Sequence, residues 1–166
     1  VALRGSSLKD WPVAAKPRTT EIDQRDFQFT PQTVAIRVRD SVKFLNNDAT
    51  SHNVRSSSPL ATFSDNISPG FDFTHRFDRA GGVAQPIQPD CAFHGGMQAW
   101  ILVFDHPFFK VTGVDGRFRF EGVPPGKYKL DVYHPAGNLR RSSTLELKPQ
   151  KSTKLPIQLS PKYRLK

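Results

Sequence analysis

Apolar and polar positions alternate in short runs along most of this chain. Val34, Ile36 and Val38 alternate with Ala35, Arg37 and Arg39, a period of two that predicts a strand with one buried face. Ser41-Val42-Lys43-Phe44-Leu45 repeats the pattern before a polar stretch from Asn46 to Thr50. Ala99 to Phe104 is nearly all apolar, which predicts a strand buried on both faces. Further on, Arg117-Phe118-Arg119-Phe120 alternates strictly, and Tyr128, Leu130 and Val132 alternate with Lys127, Lys129 and Asp131. Asp115-Gly116 and Pro124-Pro125-Gly126 bracket these runs as turns. Thr144-Leu145-Glu146-Leu147 and Leu155-Pro156-Ile157-Gln158-Leu159 extend the series, and Phe71, Phe73 and Phe77 are spaced like a strand core. Fourteen prolines and eleven glycines interrupt nearly every window long enough for an amphipathic helix. The pattern predicts an all-β protein built from sandwiches.

Composition narrows the classes. The 166 residues make one large domain or two small ones, and 18 aromatic side chains (13 Phe, 3 Tyr, 2 Trp) supply enough apolar surface for a core. No run approaches the roughly 20 apolar residues of a membrane helix. The start, with Leu3, Arg4 and Gly5, has no apolar leader, so any export segment is expected to have been removed. A single cysteine excludes an internal disulfide, a four-cysteine zinc site and an iron–sulfur cluster, and still allows one thiolate ligand. Charge is unevenly spread: residues 1–20 carry +3, residues 21–105 carry −3 and residues 106–166 carry +9. The reversal falls near Asp105-His106-Pro107, where the apolar run ends. Two modules with different surfaces are expected.

One segment carries chemistry. Cys91-Ala92-Phe93-His94-Gly95-Gly96-Met97 puts a thiolate, an imidazole and a thioether in one loop, spaced C-x2-H-x2-M. His52 follows another apolar strand, in the run Asn46-Asn47-Asp48-Ala49-Thr50-Ser51-His52-Asn53-Val54. If the two apolar strands are neighbours, His52 faces the loop. Two imidazoles and a thiolate with a weak axial thioether are the ligands of a blue-copper site. A lone cysteine is more often a small buried apolar residue, and the neighbouring His94, Met97 and His52 shift the balance. A trinuclear copper centre needs H-x-H pairs, which the sequence lacks, and a binuclear copper site needs a second cysteine. A cysteine-protease reading of Cys91 with His94 leaves Met97 and the asparagine-rich histidine segment without a role. His75, His106 and His134 read as surface or turn histidines.

Residues 21–105 resemble a cupredoxin of the plastocyanin and amicyanin type. Phe29-Thr30-Pro31 followed by Val34 and Ile36 is similar to its opening strand. Phe44-Leu45-Asn46-Asn47-Asp48 and His52-Asn53-Val54 are similar to the segment carrying its first histidine, and C-x2-H-x2-M is the short, amicyanin-like ligand loop. Pro86 and Pro89 depart from the unbroken strand the family usually runs before the cysteine. The resemblance implies a Greek-key β-sandwich holding one type 1 copper ion. It gives His52 and His94 as ligands through Nδ1, Cys91 as thiolate, Met97 as the longer axial ligand, and Asn53 as the residue tying the two ligand segments together. It also implies an electron-transfer patch at Phe93, Gly95 and Gly96 around the His94 ring.

Residues 107–160 resemble the carboxypeptidase regulatory-like (transthyretin-like) β-sandwich modules. Val111-Thr112-Gly113-Val114-Asp115-Gly116-Arg117-Phe118 and Gly122-Val123-Pro124-Pro125-Gly126-Lys127-Tyr128 carry the likeness, with Gly113 where those modules usually have aspartate. Val1-Ala2-Leu3-Arg4-Gly5 is similar to the apolar strand that precedes this segment in them. The expected organisation is an N-terminal arm over 1–20, whose residues 1–5 are a candidate strand of the second domain. A cupredoxin domain over 21–105 and a smaller β-sandwich module over 106–166 follow.

The expected function is single-electron transport by an exported, periplasmic or equivalent, copper protein without catalytic residues. The alternative is a copper-containing accessory or structural subunit of a larger complex. The implied partner is a redox protein such as a c-type cytochrome or a membrane redox complex, with an acidic docking surface toward the basic module. Nucleic acid is not expected, because the basic residues are not interleaved with a displayed aromatic platform. The basic C-terminus (Lys162, Arg164, Lys166) reads as a solvated tail, with docking as the competing reading.

Overall fold

The structure, a computed structural model, describes residues 1–12, 16–149 and 151–164. Its strands are β1 (Ala2–Arg4), β2 (Thr19–Arg25), β3 (Gln28–Thr30), β4 (Thr33–Arg37), β5 (Ser41–Asn46), β6 (His52–Ser58), β7 (Ala61–Ile67), β8 (Asp72–Arg76), β9 (Trp100–Phe104), β10 (Gly126–His134) and β11 (Leu139–Leu147). Among the described residues the only helical segments are two short 3-10 turns, so the fold is all-β. No helix of the described residues is long and apolar enough to cross a membrane. The chain divides into two compact units, Val13–Asp105 and a second made of Val1–Pro12 with His106–Lys166.

In the unit Val13–Asp105 one layer has the strand order β3-β2-β5-β8. The other contains the parallel pair β4-β9 and the hairpin β6-β7. Isolated bridges Ile87↔Ile101 and Arg55↔Asp90 link that pair to that hairpin. Pro86 and Pro89 explain why this linking segment is no continuous strand: proline has no N–H to give a ladder. Ile87 and Asp90 still exchange backbone bonds of 2.8–3.0 Å with their partners. Alternation fills the space between the layers. Ile22, Phe29, Val42 and Phe44 come from one side, and Val34, Ile36, Val54, Ile101 and Val103 from the other. Phe44 is fully buried among Phe29, Phe63 and Phe73. Its truncation to alanine is expected to cost about 3–5 kcal/mol.

Two expectations change here. Of the three phenylalanines spaced like strand core, Phe77 is buried and Phe73 partly so, but Phe71 is 69% exposed. It sits one residue before β8, where its backbone closes a turn with Ser68 and Asn46 rather than continuing a strand. Second, the two apolar strands flanking the ligand segments are not neighbours: β5 pairs with β2 and β8, and β9 pairs with β4. His52 reaches the ligand loop through β6, whose Arg55 bridges Asp90 immediately before Cys91.

The other unit is a three-stranded antiparallel sheet in the order β1-β10-β11, with Ala2, Leu3 and Arg4 opposite Asp131, Leu130 and Lys129. Leu3, Leu8, Phe108, Tyr128 and Leu130 form its core. Arg4 binds the buried Asp131 carboxylate at 3.0 and 3.2 Å. Residues 1–12 are therefore not a free arm, since Leu3 and Leu8 supply apolar surface that β10 alone cannot cover. Thr19 and Thr20 already belong to β2, and residues 13–15 of the expected arm lie outside the described residues. Residues 117–120 and 155–159 alternate but form no strands. Phe118 and Phe120 pack on the core as side chains, while both edges of β10 are taken by β1 and β11. Arg164 bridges Leu139, and Lys166 of the basic tail lies outside the described residues.

Candidate metal centre

The site is assembled at the end of the sandwich where β5 runs into β6. Asn46, the last residue of β5, is buried and organises the turn that follows. Its Nδ2 donates to the carbonyls of Thr50 (2.9 Å) and Ile67 (2.8 Å), and its Oδ1 accepts from the Asp48 N–H at 3.0 Å. This delivers His52 to the first position of β6 with its ring fully buried. The Cys91–Met97 loop closes on itself: the Cys91 N–H donates to Met97 O (3.1 Å) and the Met97 N–H to His94 O (3.4 Å). Gly96 has φ +89°, a left-handed conformation that favours glycine, which lets the loop turn back in so few residues.

His52, Cys91 and His94 come together, each offering one atom, all within 4.8 Å of one another. The two Nδ1 atoms are 3.0 Å apart, and Cys91 Sγ lies 3.9 Å from His52 Nδ1 and 3.7 Å from His94 Nδ1. A triangle with these sides has its centre about 2.1 Å from each corner, close to the bond lengths of ~2.0–2.1 Å for nitrogen and ~2.3 Å for sulfur on a divalent metal. His52 Nε2 lies 2.7 Å from Asp48 Oδ2. An ionised carboxylate only accepts, so in the neutral ring Nε2 carries the proton and Nδ1 presents its lone pair to the centre. The backbone N–H of Asn53 donates to Cys91 Sγ (3.4 Å), which fixes the sulfur relative to the first residues of β6. Met97 is buried in the same apolar cluster as Cys91, with its backbone tied to both other loop ligands. The donor set thus fits a soft, redox-active metal ion.

Asn53 bridges the two ligand segments. Its Oδ1 accepts from the Ala92 N–H (3.4 Å), and its Nδ2 donates to Asp65 O (3.0 Å) and Asn66 Oδ1 (2.8 Å) on β7. Phe93, Gly95 and Gly96 are exposed around the partly buried His94. The other histidines lie elsewhere. His106 Nδ1 accepts from Phe108 N–H, His134 Nδ1 from Gly137 N–H, and His75 packs among Phe63, Phe73 and Phe77.

Two residues escape the sequence reading. Asp48 accepts from His52 and from the backbone N–H groups of Asp26 (2.7 Å) and Phe27 (3.1 Å). Burial opposes its charge, but the hydrogen bonds from Phe27, His52 and Asp26 outweigh that and hold the carboxyl below its ordinary range. Phe27 lies edge-on to both imidazoles. An aspartate four residues before the histidine was a readable signal for the first. Nothing local marks the second.

A β-sandwich presenting imidazole, thiolate, imidazole and thioether at one end defines a cupredoxin with a single type 1 copper site, formed by His52, Cys91, His94 and Met97. The chain belongs to the plastocyanin/azurin family of copper binding proteins, whose profile matches residues 17–103. Among solved structures it is similar to the reduced Cu(I) form of an amicyanin variant, at 20% identity over 55% of this chain and 86% of that one, with a TM-score of 0.46. A purple cupredoxin from Nitrosopumilus maritimus matches at 21% identity over 51% of this chain and 98% of its own, with a TM-score of 0.45. A copper-containing nitrite reductase from Thermus scotoductus matches at 20% identity over 54% of this chain and 22% of its own, with a TM-score of 0.46. No curated protein matches the chain.

Proposed function

We propose that this protein is an exported electron carrier that passes single electrons between redox partners and has no catalytic turnover of its own. The observation that carries the reading is the triangle of His52 Nδ1, His94 Nδ1 and Cys91 Sγ, closed at 3.0–3.9 Å on a rigid sandwich. Copper bound there supplies one-electron chemistry between Cu(I) and Cu(II). The chain's own residues do the rest. Asp48 and the β6 ladder fix His52, the Asn53 bonds hold the loop to β7, and the buried Met97 would offer its thioether to the ion from the apolar cluster it shares with Cys91. Rigid ligands suit electron transfer because neither oxidation state then requires rearrangement. The exposed Phe93, Gly95 and Gly96 around His94 form the apolar contact through which a partner's cofactor, such as a c-type haem or that of a membrane redox complex, approaches.

The test is copper loading of the purified protein, with a visible spectrum and voltammetry. The expected result is an intense thiolate-to-Cu(II) band and reversible one-electron reduction, with the band abolished in Cys91→Ser. A serine variant that keeps the band refutes the ligand assignment.

A second reading, a copper-bearing accessory subunit, is favoured by the separate unit with its own core, which we assign to the carboxypeptidase regulatory-like modules. In the carrier reading that basic unit steers an acidic partner. Lys127, Lys129 and Arg140 share one face of the β1-β10-β11 sheet by register, whereas Arg141 is on the other, bonded to Gln158 O. Charge reversal at Lys127, Lys129 and Arg140 is expected to slow electron exchange with the physiological acceptor and flatten its salt dependence. An unchanged rate and salt dependence argue for the subunit reading.

A further inference from the structure

The hairpin joining β2 to β3 has a two-residue turn, Asp26-Phe27, between the paired Arg25 and Gln28. Both turn residues have positive φ, +52° and +58°. Such turns ordinarily carry asparagine or aspartate followed by glycine, because a side chain with a bulky Cβ substituent is strained there. Aspartate is tolerated at the first position. Phenylalanine at the second is not the residue the backbone asks for, and the strain calls for a reason.

The ring's position supplies one. Phe27 is 55% exposed, so core packing does not explain it. Its ring lies 4.9 Å from the His94 ring at 83° and 5.7 Å from the His52 ring at 81°, edge-on to both metal-binding imidazoles. Phe93, the loop's own aromatic, is farther from His94, at 6.4 Å. The same Asp48 carboxylate that holds His52 Nε2 also accepts both N–H groups of the strained tip. Ring and imidazole are thereby registered to each other through one side chain. His52 is fully buried, whereas His94 is only partly so and sits on a short loop. His94 is the ligand that gains most from a second wall.

We propose that Phe27 is a positioning residue for the copper site: the strained β2–β3 tip, latched by Asp48, holds its ring against His94 and His52, limiting movement of His94 and access to the bound ion. The inference rests on the copper reading above. It explains why the chain keeps phenylalanine where glycine would relieve the backbone.

The test compares wild type with Phe27→Gly, Phe27→Leu and Phe27→Tyr in the full chain. Three readouts are the urea midpoint of the apoprotein, the Cu(II) electron paramagnetic resonance spectrum, and the rate at which excess bathocuproine disulfonate removes Cu(I). Glycine relieves the turn, so the apo midpoint of Phe27→Gly is expected to equal or exceed that of wild type. Copper removal is nevertheless expected to be about tenfold faster, equivalent to about 1.4 kcal/mol, with broadened hyperfine lines. Leucine keeps the strain and bulk but lacks the ring edge, and is expected to release copper faster as well. Tyrosine restores the ring and is expected to stay within about twofold of wild type. Removal rates in both Phe27→Gly and Phe27→Leu within twofold of wild type overturn the proposal, as does equal acceleration in Phe27→Tyr. A wild-type protein that binds no copper overturns the functional reading along with it; a wild type with the thiolate band and unchanged variants overturns this inference alone.

Discussion

Replacing Asn53 by alanine isolates the link between the two ligand segments. The side chain is 4% exposed and donates two well-formed hydrogen bonds through Nδ2, to Asp65 O at 3.0 Å and Asn66 Oδ1 at 2.8 Å. A longer bond from the Ala92 N–H reaches its Oδ1 at 3.4 Å. Each neutral bond of this kind contributes about 1 kcal/mol net. Asp65, Asn66 and Ala92 are exposed residues, so water can reach the groups that lose a partner and the penalty for leaving them unpaired stays small. The expected loss is about 2–3 kcal/mol, counting two full bonds and a fraction of the third. At urea slopes of about 1–3 kcal/mol/M this lowers the midpoint by about 0.7–3 M. Equilibrium urea unfolding of the apoprotein is the assay, because bound metal would add its own stabilisation. Aspartate at position 53 keeps the acceptor for Ala92 while removing the Nδ2 donors, so it is expected to lose most of the same stability. A midpoint for Asn53→Ala within about 0.3 M of wild type, at unchanged slope, would refute the reasoning.

Met97→Gln is expected to keep copper bound but lower the reduction potential, since a harder oxygen donor favours Cu(II); an unchanged potential in voltammetry places Met97 outside the coordination sphere. His75 titrates below its ordinary value of 6.5 because burial among Phe63, Phe73 and Phe77 outweighs the attraction of Asp78. The unfolded chain therefore takes up the proton first, and the stability this histidine contributes is complete above about pH 6.5 and is lost as pH falls through the folded value. The gap in urea midpoint between wild type and His75→Phe is expected to widen in favour of phenylalanine from pH 8 to pH 5; a constant gap refutes the sign.

Much of this architecture is legible in the residues because its signals are local. Alternation at Val34–Ile36 and Val42–Phe44 fixes which side chains enter the core, since a strand's period of two leaves no choice of face once one face is buried. The ligand loop is equally local: Cys91, His94 and Met97 are bound to one another by spacing, and the glycine at 96 marks the left-handed turn that closes it. Alternation failed at residues 117–120 and 155–159 for a complementary reason. An amphipathic run becomes a strand only where an edge is free to pair with it, and pairing is decided elsewhere in the chain.

The sequence by itself determined the donor chemistry and the all-β class: thiolate, imidazoles and thioether are covalent facts, and burial follows from apolar pattern. Only the tertiary structure decided how the donors meet. β5 and β9 fall in different layers, so His52 arrives through the Arg55–Asp90 bridge rather than through paired apolar strands. Tertiary structure likewise placed Leu3 and Leu8 in a core with Tyr128 and Leu130, far along the chain. It also set Phe27 against His94 and gave Asp48 three donors from two segments. Those contacts join residues from distant segments, and a contact between distant segments is fixed by the packing of the whole sheet, which no short window of sequence contains.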